Sequence, residues 1–387
     1  MRHNLCRHHL GDMEDVIAEL YDRNSSKCQF IHSFGITDFT RFGSFTMKFG
    51  LFGGARVSGA AVAGTTGGMS GDSLGLAAYI EYVLLAEELG FSNVFMVEHH
   101  FTGGGQVSSS LGLLTYLAAR TSRIRLGTAV IVLPWHNPAL LAESVATLDL
   151  LSGGRFDFGV GKGYKPQEFE GFSMNPAEAP ERFEETLSFL RKALSSSDRF
   201  SHEGKFWTFR DVVIEPRPVQ MPHPPIWLAA NSEASIRRAA REGCSMLLDQ
   251  VSPIDQILER IAIYRDEQRR AGVELPGQIG VTRGMHIVDT EVARREMIEH
   301  YALLLDKGRV FKFSGVEGAE GRRRYVESDA PLIGSPGQLI SPLRRLADGG
   351  ADLILLADMS GSTTGLRSFA HEIMPIFDPR TALVDVA

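Results

Sequence analysis

The stretch N-V-F-M-V-E-H-H-F-T, residues 93–102, decides how the rest of the chain is read. Five residues of strand character run directly into a carboxylate and two adjacent imidazoles. A buried parallel strand reads as a short, nearly continuous apolar run. When such a strand ends in ionisable groups, that end faces a cleft rather than packed core. Glu98, His99 and His100 therefore stand where open sheets and α/β barrels place their chemistry.

Outward from this stretch the chain alternates strand, loop and helix. Strand one is expected at 47–52, strand two at the opening stretch, strand three at 124–133 and strand four at 155–160. Strands five to eight follow at 225–230, 245–249, 279–288 and 352–356, with helices between them. Residues 200–216 alternate as a small hairpin before strand five. A basic, glycine-containing insertion at 307–335 follows the helix after strand seven. This count predicts a (β/α)8 TIM barrel over residues 47–387. A doubly wound sheet is the alternative, but it would carry G-x-G-x-x-G after its first strand, and that fingerprint is missing. The G-T-T-G-G-M-S-G-D-S run in the 53–72 loop lacks the lysine of a P-loop.

Composition narrows the function. The 387 residues carry a net charge of −7, with a pI near 6.0, which argues against nucleic acid or an anionic membrane as a main partner. No apolar run is long enough for a membrane span, and three cysteines form no disulfide framework, so a cytoplasmic protein is expected. Residues 1–46 lack the strand–helix rhythm, apart from one possible helix around 13–21, and are expected to be a poorly ordered extension. Their Cys6 and Cys28 stand too far apart for a zinc site, and no metal is expected.

Four strand ends carry polar residues that a barrel brings to one mouth. They are Glu98, His99 and His100; Trp135 and His136; Lys162 and Tyr164 beside Gly161 and Gly163; and Asn231, Ser232 and Ser235. Adjacent strand residues point to opposite faces, so at most one of His99 and His100 looks inward from the strand itself. A lysine in a glycine-flanked turn and a helix N-terminus at 231–235 on the next strand could together seat one phosphate. Glu98, His100, Trp135 and His136 are candidates for the substrate pocket.

The segments E-H-H-F-T (98–102), L-G-T-A-V-I-V-L-P (126–134), L-D-L-L-S-G-G-R-F-D-F-G-V-G-K-G-Y (148–164), P-R-P-V-Q-x-P-H-P-P-I-W (216–227) and I-G-S-P (333–336) resemble the bacterial luciferase-like family of flavin-dependent monooxygenases. The resemblance implies a barrel that binds reduced FMN at its C-terminal mouth and oxidises a small or medium organic substrate with O2 through a C4a-peroxyflavin. It also implies a flavin reductase as partner and a homodimer. His99 matches the family's catalytic histidine. Lys162 stands where the family has a phosphate-binding arginine, keeping the charge but losing bidentate geometry. Tyr164, Asn231, Ser232 and Ser235 fall in the matching cofactor site, and the Ala129–Val130 bond matches a non-proline cis peptide on which the flavin ring rests. The loop at 53–72 and the insertion at 307–335 are candidate lids. Two other readings remain on the same fold: a deazaflavin-dependent oxidoreductase and a non-catalytic flavin-binding subunit.

Overall fold

The computed structural model describes residues 47–55, 71–101, 106–273, 277–306, 318–358 and 361–377. The 1–46 extension, most of the 53–72 loop and the start of the insertion lie outside the described residues.

Eight parallel strands close into a barrel, which excludes the open-sheet alternative. They are β1 (Lys48–Gly53), β2 (Asn93–Met96), the split strand β3 (Arg125–Thr128) and β4 (Ile131–Val132), β5 (Phe156–Gly161), β8 (Ile226–Ala229), β9 (Ser245–Leu248), β10 (Ile279–Ile287) and β12 (Leu353–Asp358). The ring closes because β12 pairs with both β10 and β1. The short strands β6 (Phe200–Glu203) and β7 (Thr208–Val212) form the expected antiparallel hairpin outside the barrel. It packs Phe200 and Phe209 on Phe189.

Every residue of β5 is buried, as a strand covered on both faces requires. Alternation divides the core in two. On β12, Leu353 and Leu355 turn into the barrel, while Ile354 and Leu356 face the helices. The interior cluster consists of Phe95, Trp227, Leu247, Leu353 and Leu355, with Phe95 edge-on to Trp227 at 5.1 Å. Phe52, Ala129 and Val130 pack against this plug. The barrel is therefore filled, and chemistry is confined to its rim.

The helices are α1 (Gly71–Glu88), α2 (Ser110–Arg120), α3 (Pro138–Leu151), α4 (Pro166–Gly171), α5 (Ala179–Ser195), α6 (Glu233–Arg241) and α7 (Ile254–Ala271). They continue with α8 (Glu291–Asp306), α9 (Gly318–Glu327), α10 (Pro336–Asp348), α11 (Thr363–Ser368) and α12 (Met374–Phe377). α3 starts where Asn137 accepts the amides of Ala139 and Leu140 and Pro138 occupies the first helical position. Among the described residues no helix is long and apolar enough to cross a membrane.

The Ala129–Val130 peptide is cis, as the resemblance implied, and it divides the strand expected at 124–133 into β3 and β4. Two further features go beyond the sequence expectation. The insertion, for which the sequence reading gave no elements, contains α9 and a strand, β11 (Leu332–Gly334), which pairs in parallel with β10. The final helix carries a π segment at Phe369–Ile373.

Candidate active site

The floor of the site is the split strand. Both halves pair with β5, and room for the break comes from β5 itself. A Cβ on Gly159 would lie 1.7 Å from the Thr128 carbonyl oxygen, so only glycine is accommodated. The Thr128 hydroxyl replaces the lost ladder contact, donating to the Gly159 carbonyl at 2.8 Å and accepting its N–H at 2.9 Å. This leaves Ala129 and Val130 half-buried and packed on the barrel plug, an apolar shelf at the break in the strand.

His99 follows β2 and is buried. Its Nδ1 lies 2.8 Å from Oε1 of Glu168 on α4, and the same oxygen accepts the His100 amide at 2.9 Å. Burial pushes the His99 imidazole below its ordinary pKa, against the opposing pull of the Glu168 hydrogen bond. Burial also works to raise the Glu168 carboxyl, but its hydrogen bonds with His99 and the His100 amide outweigh that and hold it below the usual carboxylate value. The pair is thus neutral imidazole beside ionised carboxylate, with Nδ1–H donated to Glu168 and the lone pair on Nε2. The Tyr164 ring stands edge-on to His99 at 6.1 Å.

Glu98 organises the other two histidines. Its Oε1 lies 3.1 Å from His100 Nε2 and 2.8 Å from His136 Nε2, and its Oε2 accepts the Val132 amide at 2.7 Å. Burial acts to raise this carboxyl, yet the contacts with His100, His136 and Val132 bring it down to about 2. Glu98 is consequently an internal clasp between strand ends, with only 4% of its surface exposed. Around it lie the aromatic rings: Trp135 stacks on Phe172 at 5.2 Å and meets Phe169 edge-on at 5.0 Å, and His100 meets Phe172 at 4.9 Å.

The far side of the mouth is polar and open. Lys162 follows β5, and Asn231 and Ser232 follow β8, which pairs with β5 at Val160 and Leu228. Lys162 is exposed and, among the described residues, has no carboxylate partner; its Nζ rests over Phe183 at 5.5 Å. Arg238 of α6 lies over the same ring at 5.6 Å, but it is already paired with Glu184 and Glu242. Ser232 and Ser235 form a reciprocal capping box at the α6 N-terminus. The Asn231 side-chain amide lies 3.1 Å from Asp249 Oδ2, and its nitrogen is assigned to that side because a carboxylate oxygen can only accept.

Sequence reasoning located both polar sides of this mouth but missed Glu168. Its helix spans six residues, too few to show a period. Pro166 at the first helical position was a signal for a helix start, yet nothing in K-P-Q-E-F-E-G says which carboxylate turns to His99. Glu98, the nearer acid in sequence, orients His100 and His136 instead.

The family described as luciferase-like monooxygenase matches residues 47–353. The chain is 29% identical over 297 residues to an FMNH2-dependent dimethylsulfone monooxygenase of Pseudomonas putida, covering 70% of this chain and 80% of that one. It is 30% identical over 233 residues to the oxygenase component of a flavin-dependent trigonelline monooxygenase of Acinetobacter baylyi, covering 57% and 63%. The chain spans about half the length of the first curated relatives it matches. The crystal structure of monooxygenase RslO1 from Streptomyces bottropensis superposes with a TM-score of 0.73 at 27% identity, covering 86% of this chain and all of that one.

Proposed function

Because the chain belongs to the luciferase-like monooxygenase family, we propose that it is an FMN-dependent monooxygenase, taking reduced FMN from a separate reductase and oxidising a small or medium organic substrate with O2. The observation that carries this reading is the His99–Glu168 dyad, which shares its mouth with an apolar shelf and a lysine that has no carboxylate partner among the described residues. The residues present fit FMN. Ala129 and Val130 offer an apolar face for a ring system, with Tyr164 at the same mouth. Lys162 and the α6 N-terminus at Asn231, Ser232 and Ser235 offer charge and amides to a phosphate.

Bound reduced flavin supplies the oxygen chemistry; the protein supplies orientation, a dry pocket and a proton site. His99 takes or gives a proton at Nε2 while Nδ1–H stays on Glu168, so the ring keeps one orientation through the cycle. Trp135, Phe169 and Phe172 wall off water behind the histidines, with His100 and His136 at the substrate side. The trigonelline relative is named as an oxygenase component, which supports a reductase partner here. A homodimer is proposed from the exposed Tyr116 on α2 and Leu140 and Leu151 on the adjacent α3, and light scattering checks it.

Oxygen uptake tests the activity. Purified protein mixed with reduced FMN and candidate substrates should consume O2 and place one labelled oxygen atom in the product. Absence of labelled product with reduced FMN, together with turnover of a reduced deazaflavin, would replace this reading with the deazaflavin-dependent one.

A further inference from the structure

Three groups converge on the buried carboxylate of Glu98: His100 Nε2 and His136 Nε2 on Oε1, and the Val132 amide on Oε2. The Glu98 side chain is 3% exposed, so its carboxylate depends on these protein donors. An ionised carboxylate only accepts hydrogen bonds, so each group that meets it must donate. The Val132 amide can do nothing else. For the two imidazoles, donation fixes the proton on Nε2, and in the neutral ring it leaves the lone pair on Nδ1.

One residue along the chain the arrangement is reversed. Glu168 meets His99 through Nδ1, which puts the His99 lone pair on Nε2. Adjacent imidazoles are therefore held by two different buried carboxylates through opposite ring nitrogens. We propose that Glu98 is a positioning residue that locks His100 and His136 as Nε2–H tautomers, opposite to the Nδ1–H tautomer of His99. Of the three imidazoles, His99 alone then carries an Nε2 lone pair. The same carboxylate holds β4 through Val132, three residues from Ala129, and so ties the shelf to the end of β2. The use of this arrangement in catalysis rests on the function proposed above; the tautomers themselves do not.

The test is nitrogen-15 spectroscopy of histidine-labelled protein at a pH of about 8, where free imidazoles are largely neutral. Protonated and lone-pair ring nitrogens resonate far apart, and His99→Gln, His100→Gln and His136→Gln assign the signals. The expected wild-type pattern is a protonated Nδ1 for His99 and a protonated Nε2 for His100 and His136. Glu98→Gln should release the tautomer of His100 or His136 and leave His99 unchanged, and Glu168→Gln should do the reverse. A protonated Nδ1 on neutral His100 or His136 in the wild type overturns the proposal, as does a Glu98→Gln spectrum that is unmoved at both. The wild-type spectrum decides the matter even where a variant fails to fold. It needs no flavin or oxygen, so a failed uptake assay and a failed tautomer assignment are separate results.

Discussion

Replacing Lys162 with methionine removes a charge while keeping an apolar stem over Phe183, where Nζ now rests at 5.5 Å. A phosphate monoester carries between one and two negative charges near neutral pH. A unit pair about 4 Å apart is worth about 1 kcal/mol in bulk water and about 4 kcal/mol at the effective dielectric of a protein surface. Lys162 is exposed, which favours the lower end, and a partly ionised dianion raises it again. The expected loss is therefore about 2 kcal/mol, or roughly 30-fold in Kd. Fluorescence titration should show this for FMN, with riboflavin binding changed by less than about 2-fold, since riboflavin has no phosphate for the lysine to meet. In the wild type, added salt should narrow the preference for FMN over riboflavin. Equal losses for the two ligands would mean that Lys162 supports the mouth structurally, and an unchanged FMN affinity would remove it from the phosphate seat.

Glu98→Gln should lower stability near neutral pH and matter less in acid. Its carboxyl falls from 4.5 to about 2 on folding; at about 1.4 kcal/mol per unit this contributes about 3 kcal/mol. A depressed acid stabilises above its unfolded pKa and loses that contribution as pH falls from 4.5 towards 2, so the wild-type advantage in denaturant titrations should shrink across that window. A constant difference would contradict the assignment. His99→Ala and Glu168→Gln should each reduce turnover by about 10²–10⁴ with little effect on FMN affinity, and the double variant should be no worse than His99→Ala, as for two groups that act as a unit. Gly159→Ala should cost about 3 kcal/mol or more, seen as a large fall in Tm or loss of soluble protein.

The barrel was legible because its strands are buried on both faces and so leave apolar runs that stand out between helices. The mouth was legible for a related reason: ionisable residues directly after such runs have no place in a packed core. The break in strand three was anticipated through the family resemblance alone, since A-V-I-V reads as continuous strand. Several motif residues proved to serve the fold. Asp149 accepts the amides of Val219 and Gln220 at 2.7 and 2.8 Å, and Arg155 gathers the carbonyl of Ala118 in the last turn of α2 and those of Thr121 and Ile124 beyond it. Glu168 stayed hidden because its partner is 69 residues away and its helix is too short for periodicity to show. The insertion interrupts the strand–helix alternation in sequence, yet its Tyr325 and Ile333 join Tyr301 of α8 in burying a small core.

The Thr128–Gly159 contact bears on how this mouth could change over generations. A side chain stands in for a backbone rung, and the opposing residue has lost its own side chain to make room. Neither position can drift alone. A larger residue at 159 collides with its neighbour, and an apolar residue at 128 strands two backbone groups. Random libraries that diversify the rim for new substrates would therefore lose every non-glycine clone at 159 whatever stands at 128, because the clash is with the Thr128 backbone.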